Sequence, residues 1–196
     1  MENKSICVVI PVHELDTTTK DLFKRALTSV ETQVVKPTNV LVVTSEKAKD
    51  DVETILIEYN EKLDKKSDFN YRFIVNKGET DFASQVNFGA ENCKTDFFSI
   101  LELDDEYSTI WFKNVDEYIN AYEEIGLFLP LIVETDVDSK FLHFTNEAVW
   151  AQGFGEKVGI LDNNALLSFP NFCTSCGVFK TEKFNEIGGI KSNIKL

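Results

Sequence analysis

The stretch "FFSILELDDEYS", Phe97 to Ser108, sets an apolar run directly against acids: Glu102, Asp104 and Asp105, with Glu106 next. Like charges at this spacing repel one another, so something must offset the cost, and a bound cation is the obvious candidate. Hard carboxylate oxygens suit Mg²⁺ or Mn²⁺. The plainer alternative is an acid-rich turn that merely stops a strand.

Other polar clusters fall at comparable places. "PVHE" (Pro11 to Glu14), "TSE" (Thr44 to Glu46) and "NKGE" (Asn76 to Glu79) each follow an apolar run. Those runs, "ICVVIPV", "NVLVV" and "YRFIV", are rich in β-branched residues and read as strands buried on both faces. Between them, Thr17 to Gln33 reads as a helix, with N-cap oxygens in "DTTT" and Leu22, Phe23, Ala26, Leu27 and Val30 at helical spacing. Asp50 to Tyr59 repeats the pattern, as do Phe82, Val86, Ala90 and Cys93. "FFSILEL" is the fourth strand.

This alternation predicts an α/β fold, a mostly parallel sheet flanked by helices. Ligands in such sheets bind beyond the carboxyl ends of the strands, where all four clusters lie. Further on, Trp111, Val115, Tyr118, Ile119, Tyr122 and Ile125 form a helical stripe, and "GLFLPLIV" reads as a strand that Pro130 pushes to an edge or a bulge. "KFLHF" and "CGVFK" read as short strands, and "TEKFNEIGG" as a short helix closed by Gly188.

The chain has 196 residues, 43% hydrophobic and 27% charged, which fits one well-packed domain. Thirty-three acids against 20 bases give a formal charge of −13, so nucleic acid and anionic lipid are not expected partners. Cys7 and Cys93 read as buried thiols. Cys173 and Cys176 form one C-x-x-C, half a zinc site at best, and the chain holds only two His. No leader and no spanning apolar run stand out, so a reduced, cytoplasmic protein without a membrane span is expected.

The order of "VVIPV", "NVLVV", "NKG", an Asn-x-Gly helix (Asn87 to Gly89), "LELDDEY" and "FNEIGG" resembles the family 2 glycosyltransferases of the GT-A fold, from about Ile6 to Gly189. The resemblance implies a single Rossmann-like domain over residues 1–196, with a nucleotide-binding half at 1–107 and a sugar and acceptor half at 108–196. It implies a metal-dependent transfer, with inversion, from a nucleoside-diphosphate sugar to a carbohydrate or lipid-linked acceptor. A UDP-sugar is favoured, and GDP- and CDP-sugars stay open.

The family's D-x-D motif reads Glu102-Leu103-Asp104 here, followed by Asp105. Asp104 is the expected principal ligand of Mn²⁺ or Mg²⁺, Asp105 the second, and Glu102 a partner of the ribose, directly or through water. Pro11, Val12, His13 and Glu14 would support the nucleoside, with His13 either stacking on the base or facing solvent. Ser45, Asn76, Gln85 and Leu103 complete the nucleotide set. Asn87 would lie near base and diphosphate, or pack beside Gly89. Ser175 and Cys176 would reach sugar hydroxyls, and Trp150 would offer a ring to a sugar.

Two departures stand out. Relatives carry an acidic pair after the second strand where this chain has Thr44 and Ser45, so selectivity for uridine is open. The acid that serves inverting relatives as general base beyond "IGG" has no counterpart in "IKSNIKL". The sequence is then either a truncated piece or a minimal form with its base elsewhere, Glu134, Asp136 and Asp138 being candidates. A catalytically silent nucleotide-sugar-binding module is the alternative. Nucleotidyl transfer would want a Gly- and Arg-rich first loop, which "PVHELD" does not supply.

Overall fold

The computed structural model describes residues 4–64, 69–145 and 175–191. Trp150 and Cys173 lie outside them. The strands β1 (Ile6–Val12), β2 (Asn39–Thr44), β3 (Tyr71–Val75) and β4 (Phe97–Ile100) are joined through helices α1 (Thr17–Glu31), α2 (Lys49–Glu61) and α3 (Phe82–Asn92). After β4 come α4 (Trp111–Ala121) and β5 (Leu127–Phe128), then β6 (Val133–Thr135), β7 (Phe141–Phe144), β8 (Val178–Lys180) and α5 (Thr181–Glu186).

Six strands form one sheet in the order β3-β2-β1-β4-β8-β5. β1 pairs in parallel with both β2 and β4, so the chain reverses its direction of winding between them. That reversal opens a crevice at the carboxyl ends of β1 and β4. β8 runs antiparallel to β4 and β5. The apolar run at 126–133 is therefore not one strand. β5 stops at Phe128, Pro130 cannot donate to a ladder, and β6 begins only at Val133.

Alternating β1 side chains feed two cores. Ile6, Val8, Ile10 and Val12 join Phe23 and Leu27 of α1 and Phe112 and Val115 of α4, whereas Cys7 and Val9 join Val86 and Ala90 of α3 and Phe184 of α5. Both faces of the sheet are thus covered, which is why β1 is apolar throughout and β2 apolar from Val40 to Val43. Gly89 lets α3 lie close on the sheet: a Cβ there would stand 2.5 Å from Val9 Cγ1 and 3.0 Å from Val43 Cγ2. Asn87, two residues earlier, donates from Nδ2 to the Ile190 carbonyl (2.9 Å) and accepts at Oδ1 from the Ile190 N–H (2.8 Å). The Asn-x-Gly pair is a packing device on both flanks of α3.

The chain gathers into two compact units, one of residues 1–128 and 175–196 and one of residues 129–174. Within the second, β6 and β7 form an antiparallel pair with an irregularity at Glu134 and Thr135. Among the described residues, no helix is long and apolar enough to cross a membrane.

Candidate functional site

Beyond β4 the backbone turns sharply, the Asp105 N–H donating to the Glu102 carbonyl at 3.1 Å. This turn fixes where the acids go. Asp104 is exposed, while Glu102 and Asp105 are half-buried. Glu106 points elsewhere and pairs with Arg25 of α1. Tyr107 is buried and its N–H donates to Ser29 Oγ at 3.1 Å, so the loop after the acids is pinned to α1.

No Lys or Arg pairs with Glu102, Asp104 or Asp105 among the described residues. Burial, with help from Asp105 and Asp104, pushes the Glu102 carboxyl above its ordinary range, and burial does the same to Asp105. Hydrogen bonding from Ser175 opposes the shift of Asp105. Among the described residues, the turn therefore carries negative charge without a Lys or Arg partner. No group of three or more His, Cys, Asp or Glu among the described residues is placed to hold a metal by itself. One or two of the turn's carboxylates still suit a hard dication that takes its other ligands from phosphate and water.

Glu102, Leu103 and Asp104 form one wall of a cleft of about 280 Å³. Pro11 and His13 from the β1 end, with Gln85 from α3, line it too. Gln85 is 1% exposed; its Nε2 donates to the Val12 carbonyl at 3.3 Å, yet its Oε1 has no hydrogen-bond donor. A buried acceptor left without a partner costs about 1–3 kcal/mol. A ligand N–H or O–H would remove that cost. A larger cavity, about 540 Å³, sits at the opposite ends of the strands among Lys4, Lys94, Asp96 and Lys180, away from the acidic turn.

The cleft also contains residues that sequence reasoning passed over: Thr19, Thr80 and Phe82. Phe82 reads as a core position from its spacing, but at the first turn of α3 it is 37% exposed. Only the preceding N-cap, Asp81, signals that Phe82 stands at a helix start.

Several expected contacts resolve differently. Ser45 is buried; its hydroxyl donates to the His13 carbonyl and accepts from the Ala48 N–H. Asn76 closes its own loop, Oδ1 accepting from the Gly78 N–H (2.9 Å) and Nδ2 donating to the Glu79 carbonyl (2.8 Å). Both shape the loops around the cleft and neither lines it. Val12 is buried, and its carbonyl also accepts from the Ser45 N–H at 3.1 Å. Glu14 is exposed and outside the cleft wall. Ser175, 1% exposed, donates its hydroxyl proton to Asp105. Cys176 is half-buried and holds a positive φ of 59°.

The candidate bases belong to the second unit. Glu134 meets His143 Nε2 at 3.1 Å, and Asp136 holds a turn, accepting from the Asp138 and Lys140 N–H groups at 2.9 Å each.

A mostly parallel sheet with a winding reversal at β1 and β4, flanked by helices on both faces, defines an α/β protein of the GT-A kind. The chain belongs to glycosyl transferase family 2, whose profile matches residues 7–188. A comparison with curated proteins finds no match. Among solved structures, TarS 1-349 of S. aureus in complex with UDP is similar at 14% identity and a TM-score of 0.64, covering 93% of this chain and 48% of that one. The mannosyltransferase PcManGT from Pyrobaculum calidifontis, in complex with GDP-Man and Mn²⁺, is similar at 15% identity and a TM-score of 0.66, covering 98% and 49%. The 4-diphosphocytidyl-2C-methyl-D-erythritol synthase from Anaerococcus prevotii is more distant, with a TM-score of 0.53 and 13% identity, covering 99% and 78%. The chain thus spans about half the length of the two glycosyltransferases.

Proposed function

We propose that the chain binds a nucleoside-diphosphate sugar in the cleft and takes part in transferring the sugar to an acceptor hydroxyl, with a divalent cation at the acidic turn. The observation that carries this reading is the acidic turn Glu102–Asp105, without a Lys or Arg partner among the described residues, opening onto a cleft at the winding reversal. Family membership supports it. Asp104, exposed on the cleft wall, would hold Mn²⁺ or Mg²⁺, and Asp105 would assist it. The bound cation would supply charge neutralisation for a leaving nucleoside diphosphate.

The chain's own groups supply the rest. Gln85 Oε1 and Glu102 are acceptors, so they match a ligand edge rich in donors: ribose hydroxyls or a base N–H. His13 and Phe82 offer ring faces to the base. Ser45 has spent its hydroxyl on the loop, and the loop after β2 adds no side chain to the cleft lining, so uridine, guanosine and cytidine donors are all compatible. Inversion and a carbohydrate or lipid-linked acceptor are expectations carried by the family alone, and a cytoplasmic location is one carried by the sequence alone.

The test is a panel of nucleoside diphosphates and their sugars with Mn²⁺, followed by thermal shift and by product release. Release of nucleoside diphosphate supports transfer; binding without release supports a silent module; release of pyrophosphate makes it a nucleotidyltransferase. No stabilisation by any nucleotide would sink the reading. Within it, Asp104→Ala abolishes Mn²⁺-dependent binding and leaves the melting temperature unchanged or raised, because one crowded carboxylate is gone. Nucleotide affinity in Mn²⁺ equal to that of the parent would refute the role of Asp104.

A further inference from the structure

Seventy residues separate Ser175 from Asp105, yet the hydroxyl of one is bonded to the carboxylate of the other. The approach is built with several ties. The Cys176 N–H donates to the Ile100 carbonyl at 2.7 Å, and the Ile100 N–H donates to the Gly177 carbonyl at 3.1 Å. Ser99, inside β4, donates from Oγ to that same Gly177 carbonyl at 2.9 Å and lies 2.7 Å from the Tyr107 hydroxyl. Because Ser99 has one proton and gives it to Gly177, Tyr107 is the donor in the second contact. Tyr107 is buried and comes directly after the acidic turn, so one network grips both the turn and the segment that brings Ser175 to it.

Cys176 occupies the left-handed region, φ 59°, which a residue with a Cβ seldom adopts. Such strain persists where surrounding contacts over-determine the conformation, and it gathers at functional sites. Here those contacts are the two backbone bonds to β4. The strained residue directly follows Ser175, and the bend it makes coincides with Ser175 facing the acids.

We infer that Ser175 is a positioning residue for the cation site: by donating to Asp105 it fixes that carboxylate beside Asp104, so that the turn presents preoriented oxygens to a small dication. Its hydroxyl is not a contact for sugar, being buried and already committed. A carboxylate with one oxygen held by a donor keeps lone pairs for a cation, while losing the rotational freedom it would otherwise surrender on binding. Partners that orient metal ligands in this way are worth about 10–100-fold in metal affinity.

The inference rests on the proposed nucleotide and cation site, and the experiment separates the two. Mn²⁺ is titrated by electron paramagnetic resonance at saturating UDP or GDP, and nucleotide affinity is measured without metal, for the parent chain and for Ser175→Ala, Ser175→Thr and Ser175→Cys. Expected is an Mn²⁺ affinity about tenfold or more weaker in Ser175→Ala. Ser175→Thr, which keeps the donor, retains the affinity; Ser175→Cys, similar in size but a weak donor, loses it while still melting cooperatively. Metal-free nucleotide affinity stays unchanged in all three, which a general loosening of the fold would not allow. Parent-like Mn²⁺ affinity in Ser175→Ala, or in a folded Ser175→Cys, overturns this inference alone. A parent chain with no Mn²⁺-dependent nucleotide binding removes the site itself.

Discussion

Residue types at the strand ends mark where the cleft lies, but not which side chains face it. Ser45 and Asn76 have the hydroxyl and amide expected of nucleotide contacts, yet both turn onto backbone. Short polar side chains next to a turn have that competing choice, and tertiary packing decides it. Phe82 errs in the other direction, a ring left at the cleft because the helix begins there. If it carries a base, Phe82→Ala weakens binding of the matching nucleoside diphosphate by about tenfold, the scale of one stacked base. Its exposure means the melting temperature should hardly move. Calorimetric titration beside a thermal melt checks both, and an unaltered affinity would leave the ring without a role in binding.

At the level of elements, the four parallel strands and their helices were legible because buried strands and amphipathic helices write distinct periods. What the periods do not encode is long-range pairing. β8 inserts between β4 and β5 although more than 70 residues lie between Ile100 and Val178, and no local pattern marks that placement. The network holding Ser175 depends on it. Helix α3 shows a second limit: Gly89 looks like a weak helix position, and its reason is the sheet beneath it. Gly89→Ala would gain about 1 kcal/mol of helix propensity. It would also force a methyl to 2.5 Å from Val9 Cγ1, and overpacking of that kind costs about 1–3 kcal/mol. The expected outcome is net destabilisation by chemical denaturation; a Gly89→Ala chain more stable than its parent would mean that α3 can lift off the sheet at no cost.

Across the whole molecule, the formal charge of −13 makes acid response a property of the fold. Among the described residues, three carboxylates are held below their ordinary range by hydrogen bonds: Asp96 by the Ser5 N–H and hydroxyl, Asp16 and Asp81 by the backbone N–H and hydroxyl groups of the first turns they cap. A depressed folded pKa means the folded chain favours the charged form, so this stabilisation is complete above the ordinary 3.8 and is lost as pH falls through the lower folded values. Asp96 has the widest reach. Its Oδ2 accepts from Ser5 N (2.9 Å) and Ser5 Oγ (2.8 Å), its own N–H donates to Ser5 Oγ (3.0 Å), and its carbonyl accepts from the Thr181 N–H (2.9 Å). It thus ties the lead-in to β1, the start of β4 and the end of β8 at the amino-terminal ends of the parallel strands, opposite the cleft. Asp96→Asn keeps an acceptor for the Ser5 N–H but removes the charge, so it should lower stability at neutral pH and flatten the decline below pH 3.8. Urea denaturation from neutral pH down to that range reads both effects. Parallel curves for the two chains would show that the acid limb belongs to the other carboxylates.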